Sequence, residues 1–171
     1  MSEPQHESKY EPTIKVLRVD PAARLPHYAH TGPWGDLAAD LYALHVATLP
    51  AGATALIPTG IALEFPSDFG ALIEDRSGLA LGFPAGFGAL SQSRSGLAIK
   101  GISTLGGVID PGYRGEIKIV ITNVSPIAHT LAAGDRIAQL RIVRRITANF
   151  LEVDSLAEAP RGAGGFGSTG L

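Results

Sequence analysis

No cysteine occurs in the 171 residues, which removes disulfide frameworks and thiolate metal sites from consideration. No apolar run reaches the length a membrane-spanning helix needs. Neither sign of charge is in excess: 14 Lys and Arg against 16 Asp and Glu leave a net charge of −2, which argues against a general nucleic-acid coat. Aromatic residues make up only 6% of the chain, with one tryptophan. That Trp34, in Thr31-Gly32-Pro33-Trp34-Gly35, is expected to anchor a loop. Met1–Pro12 is polar and lacks an apolar signal core, so a tail without fixed structure is expected there. His6, His27, His30, His45 and His129 are scattered without ligand spacing and read as solvated or core residues. With 45% hydrophobic and 18% charged residues, wholesale disorder is excluded. One domain with a sizeable core is expected, in a soluble, cytoplasmic protein with no membrane and no nucleic-acid partner.

What the chain does contain is many short apolar runs punctuated by Gly, Pro and Asp. Ile14–Val19 opens the fold after the polar tail. Ala53–Ile57 runs into Pro58-Thr59-Gly60, read as a turn, and Ile61–Phe65 follows. Glu116–Asn123 alternates in bulk and charge as a half-buried strand does. Gly134-Asp135 turns the chain into another strand, Arg136–Val143. This pattern predicts an all-β sandwich, jelly roll or barrel, with room for a short helix near Leu79 or Leu97.

The middle of the chain carries a tandem repeat. Phe65-Pro66-Ser67-Asp68-Phe69-Gly70-Ala71-Leu72 leads to Arg76-Ser77-Gly78-Leu79-Ala80. Eighteen residues on, Phe83-Pro84-Ala85-Gly86-Phe87-Gly88-Ala89-Leu90 leads to Arg94-Ser95-Gly96-Leu97-Ala98. Two copies are too few for a solenoid. An even offset keeps the inward and outward faces of a strand in phase, so a β fold tolerates the duplication. Residues 1–12 are thus read as a tail, 13–150 as the β domain with the duplication at about 63–98, and 151–171 as a C-terminal arm.

Several segments bear chemistry. The arm contains Arg161-Gly162-Ala163-Gly164-Gly165-Phe166-Gly167-Ser168-Thr169-Gly170. Its glycines let backbone N–H groups approach phosphate oxygens, Arg161 offers a cationic fork, and Phe166 offers a flat face for a base; the alternative is a disordered end. Gly107–Gly115 reads as a β-hairpin with a Pro-Gly turn. There Asp110 is a turn former or a general base beside a water. Asp40 stands in an apolar run, where a carboxylate needs a partner: a backbone cap, an arginine, or a hydrated Mg²⁺. Arg94-Ser95-Gly96 suits phosphate, or is a surface turn. Gln139 is an inward polar group facing a ligand, or an outward residue.

Together these segments resemble the trimeric deoxyuridine triphosphatases. Five motifs carry the likeness, in family order: Asp40-Leu41-Tyr42-Ala43; Arg94–Ala98; Gly107–Gly115; Gly134–Leu140; and Arg161–Gly170. The resemblance implies a distorted β jelly roll (the β-clip), a homotrimer with active sites shared among subunits, Mg²⁺ as cofactor and dUTP as substrate. It implies that Asp110 activates the water attacking the α-phosphorus, releasing pyrophosphate and dUMP. It gives Asp40 a Mg²⁺ ion held through water, and Tyr113 the deoxyribose, where it excludes a 2′-hydroxyl. Gly107 and Val108 would read the uracil edge. Arg94, Ser95 and Gly96 from a neighbouring subunit would hold phosphate oxygens, and Gln139 would hydrogen-bond near the α-phosphate or the water. In the arm, Phe166 would cover uracil while Arg161, Gly167, Ser168 and Thr169 grip the phosphates. The chain departs from the family in its duplicated second motif. The copy at Arg94 is favoured over Arg76, because Glu74-Asp75 would repel a triphosphate; the first copy, or the loop between copies, is expected to be extruded. A dCTP deaminase or bifunctional deaminase of the same superfamily, and a non-catalytic binding or regulatory trimer, are the alternatives.

Overall fold

The computed structural model describes residues 11–74, 100–105, 107–160 and 162. Ten strands account for the regular structure among them: β1 (Lys15–Arg18), β2 (Ala39–Tyr42), β3 (Ala47–Leu49), β4 (Thr54–Glu64), β5 (Phe69–Glu74), β6 (Ile102–Thr104), β7 (Gly107–Ile109), β8 (Glu116–Asn123), β9 (His129–Leu131) and β10 (Arg136–Arg144). Four-stranded sheets in the orders β1-β4-β8-β6 and β2-β10-β5-β7, plus a β3-β9 ribbon, make up the architecture. Every pairing is antiparallel. The all-β expectation is met, and the repeated switching of the chain between sheets is the jelly-roll habit.

Alternation drives the packing. In β8, Ile117, Ile119 and Ile121 are buried while Lys118 is exposed between them. Each such isoleucine contributes about 1.5–3 kcal/mol by leaving water. Ile57, Ile61 and Leu63 of β4 join Ala71 and Ile73 of β5 and Ile137, Ala138 and Leu140 of β10 in the same core. Asn123, fully buried at the end of β8, faces the carbonyls of Leu49, Pro50 and Ile127 and accepts from the N–H and hydroxyl of Ser125. It ties the β3-β9 ribbon to the main body.

Four expectations need correction. Pro58-Thr59-Gly60 does not turn the chain: it is a bulge inside one long strand, where the β4–β8 register shifts between Pro58 and Ala62. Gly60 takes a φ of +72°, and its carbonyl accepts from the N–H groups of Val19 and Asp20. Strands on both sides thus carry β4 through a sequence that would otherwise break it. Second, the first copy is not extruded whole, because its strand stays in the sheet; the other alternative, extrusion of the loop between copies, lies outside the described residues. Phe69–Glu74 is β5, paired with β10 on one side and β7 on the other. Third, Glu74 is ion-paired with Arg141, so its charge is compensated and the repulsion argument against the first copy weakens. Finally, Trp34 does not anchor its loop, for it is 95% exposed; Asp36 does so by accepting from the His30 backbone N–H at 2.9 Å and facing its ring Nδ1 at 3.1 Å. The helix considered near Leu79 or Leu97 lies outside the described residues.

Candidate active site

Gly107–Gly115 does not close as a simple hairpin. β7 gives its hydrogen bonds to β5, pairing Ile109 with Ala71, Val108 with Leu72 and Gly107 with Ile73. β8 gives its own to β4, and to β6 only at residues 121–123. The two arms of the expected hairpin therefore belong to different sheets and splay apart. The gap between them is a cavity of about 320 Å³ lined by Leu56, Val108, Ile109, Asp110, Tyr113, Glu116, Ile117 and Lys118. Among the described residues β7 is the last strand of its sheet, so its main-chain groups border the slot. Such an edge offers donors and acceptors to a planar ring.

A tight turn sets the mouth of the slot. The Tyr113 N–H donates to the Asp110 carbonyl at 3.1 Å, and the Arg114 guanidinium donates to the carbonyls of Pro111 and Tyr113 at 2.6 and 2.9 Å. These bonds hold Asp110 and Tyr113 on one rim. The Tyr113 hydroxyl donates to the Glu116 carbonyl at 3.1 Å, and the residue is 45% exposed at the slot. Gly107 continues the same edge but is not among the residues lining the cavity.

Asp40 and Gln139 stand elsewhere. They are direct partners between β2 and β10, and Gln139 is also the partner of Glu74 on β5, so the three side chains form one row across the sheet. Ala138 and Leu140, flanking Gln139, are buried in the core, which places the row on the opposite face. Asp40 is 5% exposed, and its carboxylate faces Arg136 Nη1 at 3.4 Å, so an arginine is among its partners. β2 lies three strand spacings from β7, roughly 14 Å, and Asp110 is about four residues further along. One subunit thus brings Asp110, Tyr113 and Val108 together, and Asp40 with Gln139, in two separate groups. Arg94, Ser95, Gly96, Arg161, Phe166, Gly167, Ser168 and Thr169 lie outside the described residues. No cluster of three or more His, Asp or Glu suited to a metal occurs among the described residues.

Leu56, Glu116 and Lys118 were not singled out from the sequence. The charges at 116 and 118 were legible on one strand face. That Leu56 joins them was not, since it depends on the β4–β8 register that sets Leu56 opposite Val120. Past β10 the chain runs to residue 160 without strand pairing, carrying exposed Ile146, Phe150, Leu151 and Leu156. Among the described residues no helix is long and apolar enough to cross a membrane.

The dUTPase family model matches residues 80–170. The chain is 43% identical to a deoxyuridine 5′-triphosphate nucleotidohydrolase of Solibacter usitatus, over 92% of this chain and 95% of that protein. It is also 43% identical to the enzyme of that name from Thermobifida fusca, over 92% and 78%. Among solved structures, the dUTPase of Staphylococcus bacteriophage 80alpha with dUpNHpp shares the fold at a TM-score of 0.74 and 23% identity, over 93% of this chain and 99% of that one. A dUTPase of S. aureus phage phi11, solved for the coordination of a structural Mg(II) ion, does so at a TM-score of 0.68 and 21% identity, over 85% and 99%.

Proposed function

This chain belongs to the dUTPase family, and we propose that it hydrolyses dUTP to dUMP and pyrophosphate with water activated by Asp110. The observation that carries the reading is the β7–β8 slot, with a carboxylate and a phenol ring fixed on one rim by the Asp110–Tyr113 turn. Uracil enters the slot, and the edge of β7 at Gly107 and Val108 reads its polar atoms. Tyr113 packs on the deoxyribose and leaves no space for a 2′-hydroxyl. Asp110 takes a proton from water as the water oxygen bonds to the α-phosphorus. The bond from that phosphorus to the bridging oxygen breaks, and pyrophosphate leaves.

The phosphate end of the site belongs to other residues. Gln139 donates to oxygens near the α-phosphate. Asp40 would hold Mg²⁺ through the ion's water shell, its carboxylate oxygens being the hard acceptors that such a hydrated ion favours. When bound, Mg²⁺ neutralises charge on the triphosphate. The separation of Asp40 from Asp110 within one subunit exceeds what a single nucleotide bridges comfortably. That distance, with the uncovered apolar residues after β10, supports a homotrimer in which each site draws on several copies. Arg94, Ser95 and Gly96 grip phosphate from a neighbouring copy. The arm closes the site with Phe166 over uracil and Arg161, Gly167, Ser168 and Thr169 on the phosphates. We place this activity in the cytoplasm.

A second reading of the phosphate grip has its own support. β5 is built from the first copy of the repeat, and Arg76 follows Glu74 by two residues, within about 7 Å of chain. Glu74 shares the row of Gln139. The family match, by contrast, starts at residue 80 and contains only the second copy. Arg94→Ala and Arg76→Ala, made separately, decide between the two: the one that abolishes turnover names the grip.

Pyrophosphate release from dUTP, dTTP, dCTP and UTP, each with Mg²⁺ and with chelator, tests the whole reading. Turnover of dUTP alone, strongly weakened by chelation, is expected. Equal turnover of UTP removes the role given to Tyr113, and ammonia release from dCTP indicates a deaminase.

A further inference from the structure

We propose that Glu116 is a positioning residue for sugar recognition, acting through Tyr113. The inference rests on the reading of Tyr113 as the sugar platform and extends it to what holds that platform still. A ring that tells a hydrogen from a hydroxyl must be placed to within a fraction of an ångström. Tyr113 sits at the mouth of an open slot with almost half its surface in solvent, so packing alone does not fix it.

Two contacts do. The hydroxyl donates to the main-chain oxygen of Glu116 at 3.1 Å. The ring also folds back over Gly115, where a β-carbon would come within 2.6 Å of the ring Cζ; only glycine leaves the ring its place. Both contacts are useful only if residue 116 is itself anchored. Glu116 is the first residue of β8 and pairs with Ala62, just where the β4–β8 register breaks. The ladder is interrupted at the point from which Tyr113 hangs.

The Glu116 side chain bridges that interruption. Its Oε1 accepts the Gly60 N–H at 2.9 Å, and its Oε2 faces Lys118 Nζ at 3.4 Å. Gly60, at a φ of +72°, is tied in turn to the end of β1 through the Val19 and Asp20 N–H groups. The platform is thus fastened to Glu116, and Glu116 to the bulge in β4. A carboxylate at the foot of the slot acts on the sugar without touching it.

The experiment compares steady-state kinetics on dUTP and UTP, with thermal midpoints, for Glu116→Ala, Glu116→Gln and Tyr113→Phe. Glu116→Ala is expected to raise KM for dUTP and to narrow the dUTP-to-UTP ratio of kcat/KM by roughly tenfold, with kcat little changed. Glu116→Gln keeps an oxygen acceptor for the Gly60 N–H and loses only the charge facing Lys118, so it is expected to restore the ratio. Tyr113→Phe is expected to match Glu116→Ala, and the double variant to be no worse than either. A lowered midpoint with an unchanged ratio overturns the proposal, as does a glutamine variant that fails to restore. Tyr113→Phe removes only the hydroxyl link, so an unchanged ratio there overturns it even if the alanine variant does not fold. Tyr113→Ala separates the two layers. An unchanged ratio in that variant sinks the platform reading itself, whereas a narrowed ratio there beside an unchanged one in Glu116→Ala sinks only the role of Glu116.

Discussion

The carbonyl oxygen of Ile109 lies 2.7 Å from where a β-carbon on Gly70 would stand. Strand β7, one wall of the β7–β8 slot, therefore rests directly on a glycine of β5. Gly70→Ala is expected to push β7 outward, costing about 1–3 kcal/mol and raising KM for dUTP. Denaturant unfolding and steady-state kinetics measure the two effects. An unchanged KM in a folded variant would show that the wall does not depend on this contact.

Asp110→Asn keeps the size of the side chain and the turn closed by the Tyr113 N–H, but removes the carboxylate proposed as the base. Loss of kcat by about 10²–10⁴ is expected, with a non-hydrolysable dUTP analogue still bound. Isothermal titration beside pyrophosphate release checks both halves. Wild-type turnover in this variant is incompatible with Asp110 as the base.

Asn123 is a structural hub at the end of β8. Its amide faces three carbonyls, and its side-chain oxygen accepts twice from Ser125. Asn123→Ala is expected to cost about 3 kcal/mol or more, because several buried groups lose their partner together. Urea unfolding measures this, and a loss below about 1 kcal/mol would mean that the site collapses or hydrates without penalty.

Two carboxylates are held below their ordinary values. The His30 backbone N–H, then the His30 ring, lowers Asp36 below 3.8, and the Lys15 ammonium lowers Glu64 below 4.5. A lowered folded value means that the ionised form is favoured by folding. The stabilisation is present above the ordinary values and fades as pH falls through the lower folded ones. Both groups are exposed, so the effect is small. Thermal midpoints are expected to be insensitive to these groups near neutrality and to decline below about pH 4. Asp36→Asn and Glu64→Gln are expected to flatten that decline in melts recorded across the acid range.

Much of the molecule was legible in the chain. Strand β8 was read to its last residue because its alternation is strict, and β10 was read to within one residue because Gly134, at a φ of +82°, starts it with a true turn. The pairing of Asp110 with Tyr113 was equally local, since a turn sets it. Partner strands overrode the local signals elsewhere. Pro58-Thr59-Gly60 carries every mark of a turn, yet β1 and β8 hold it inside β4. Likewise Gly107–Gly115 has the composition of a hairpin, yet its arms pair with β5 and β4 and leave a slot between them.

The sequence by itself determined the kinds of groups available and their order: a carboxylate close to an aromatic ring, a carboxylate in an apolar strand, a glycine-rich arm with one arginine. Only the tertiary structure decided which of the repeat's two identical Phe-Gly-Ala-Leu runs becomes β5, and that Glu116 braces Tyr113. The reason is physical. Turn chemistry and side-chain alternation act over a few neighbouring residues, whereas a strand's register and its partners are settled by hydrogen bonds and core contacts between segments far apart in the chain.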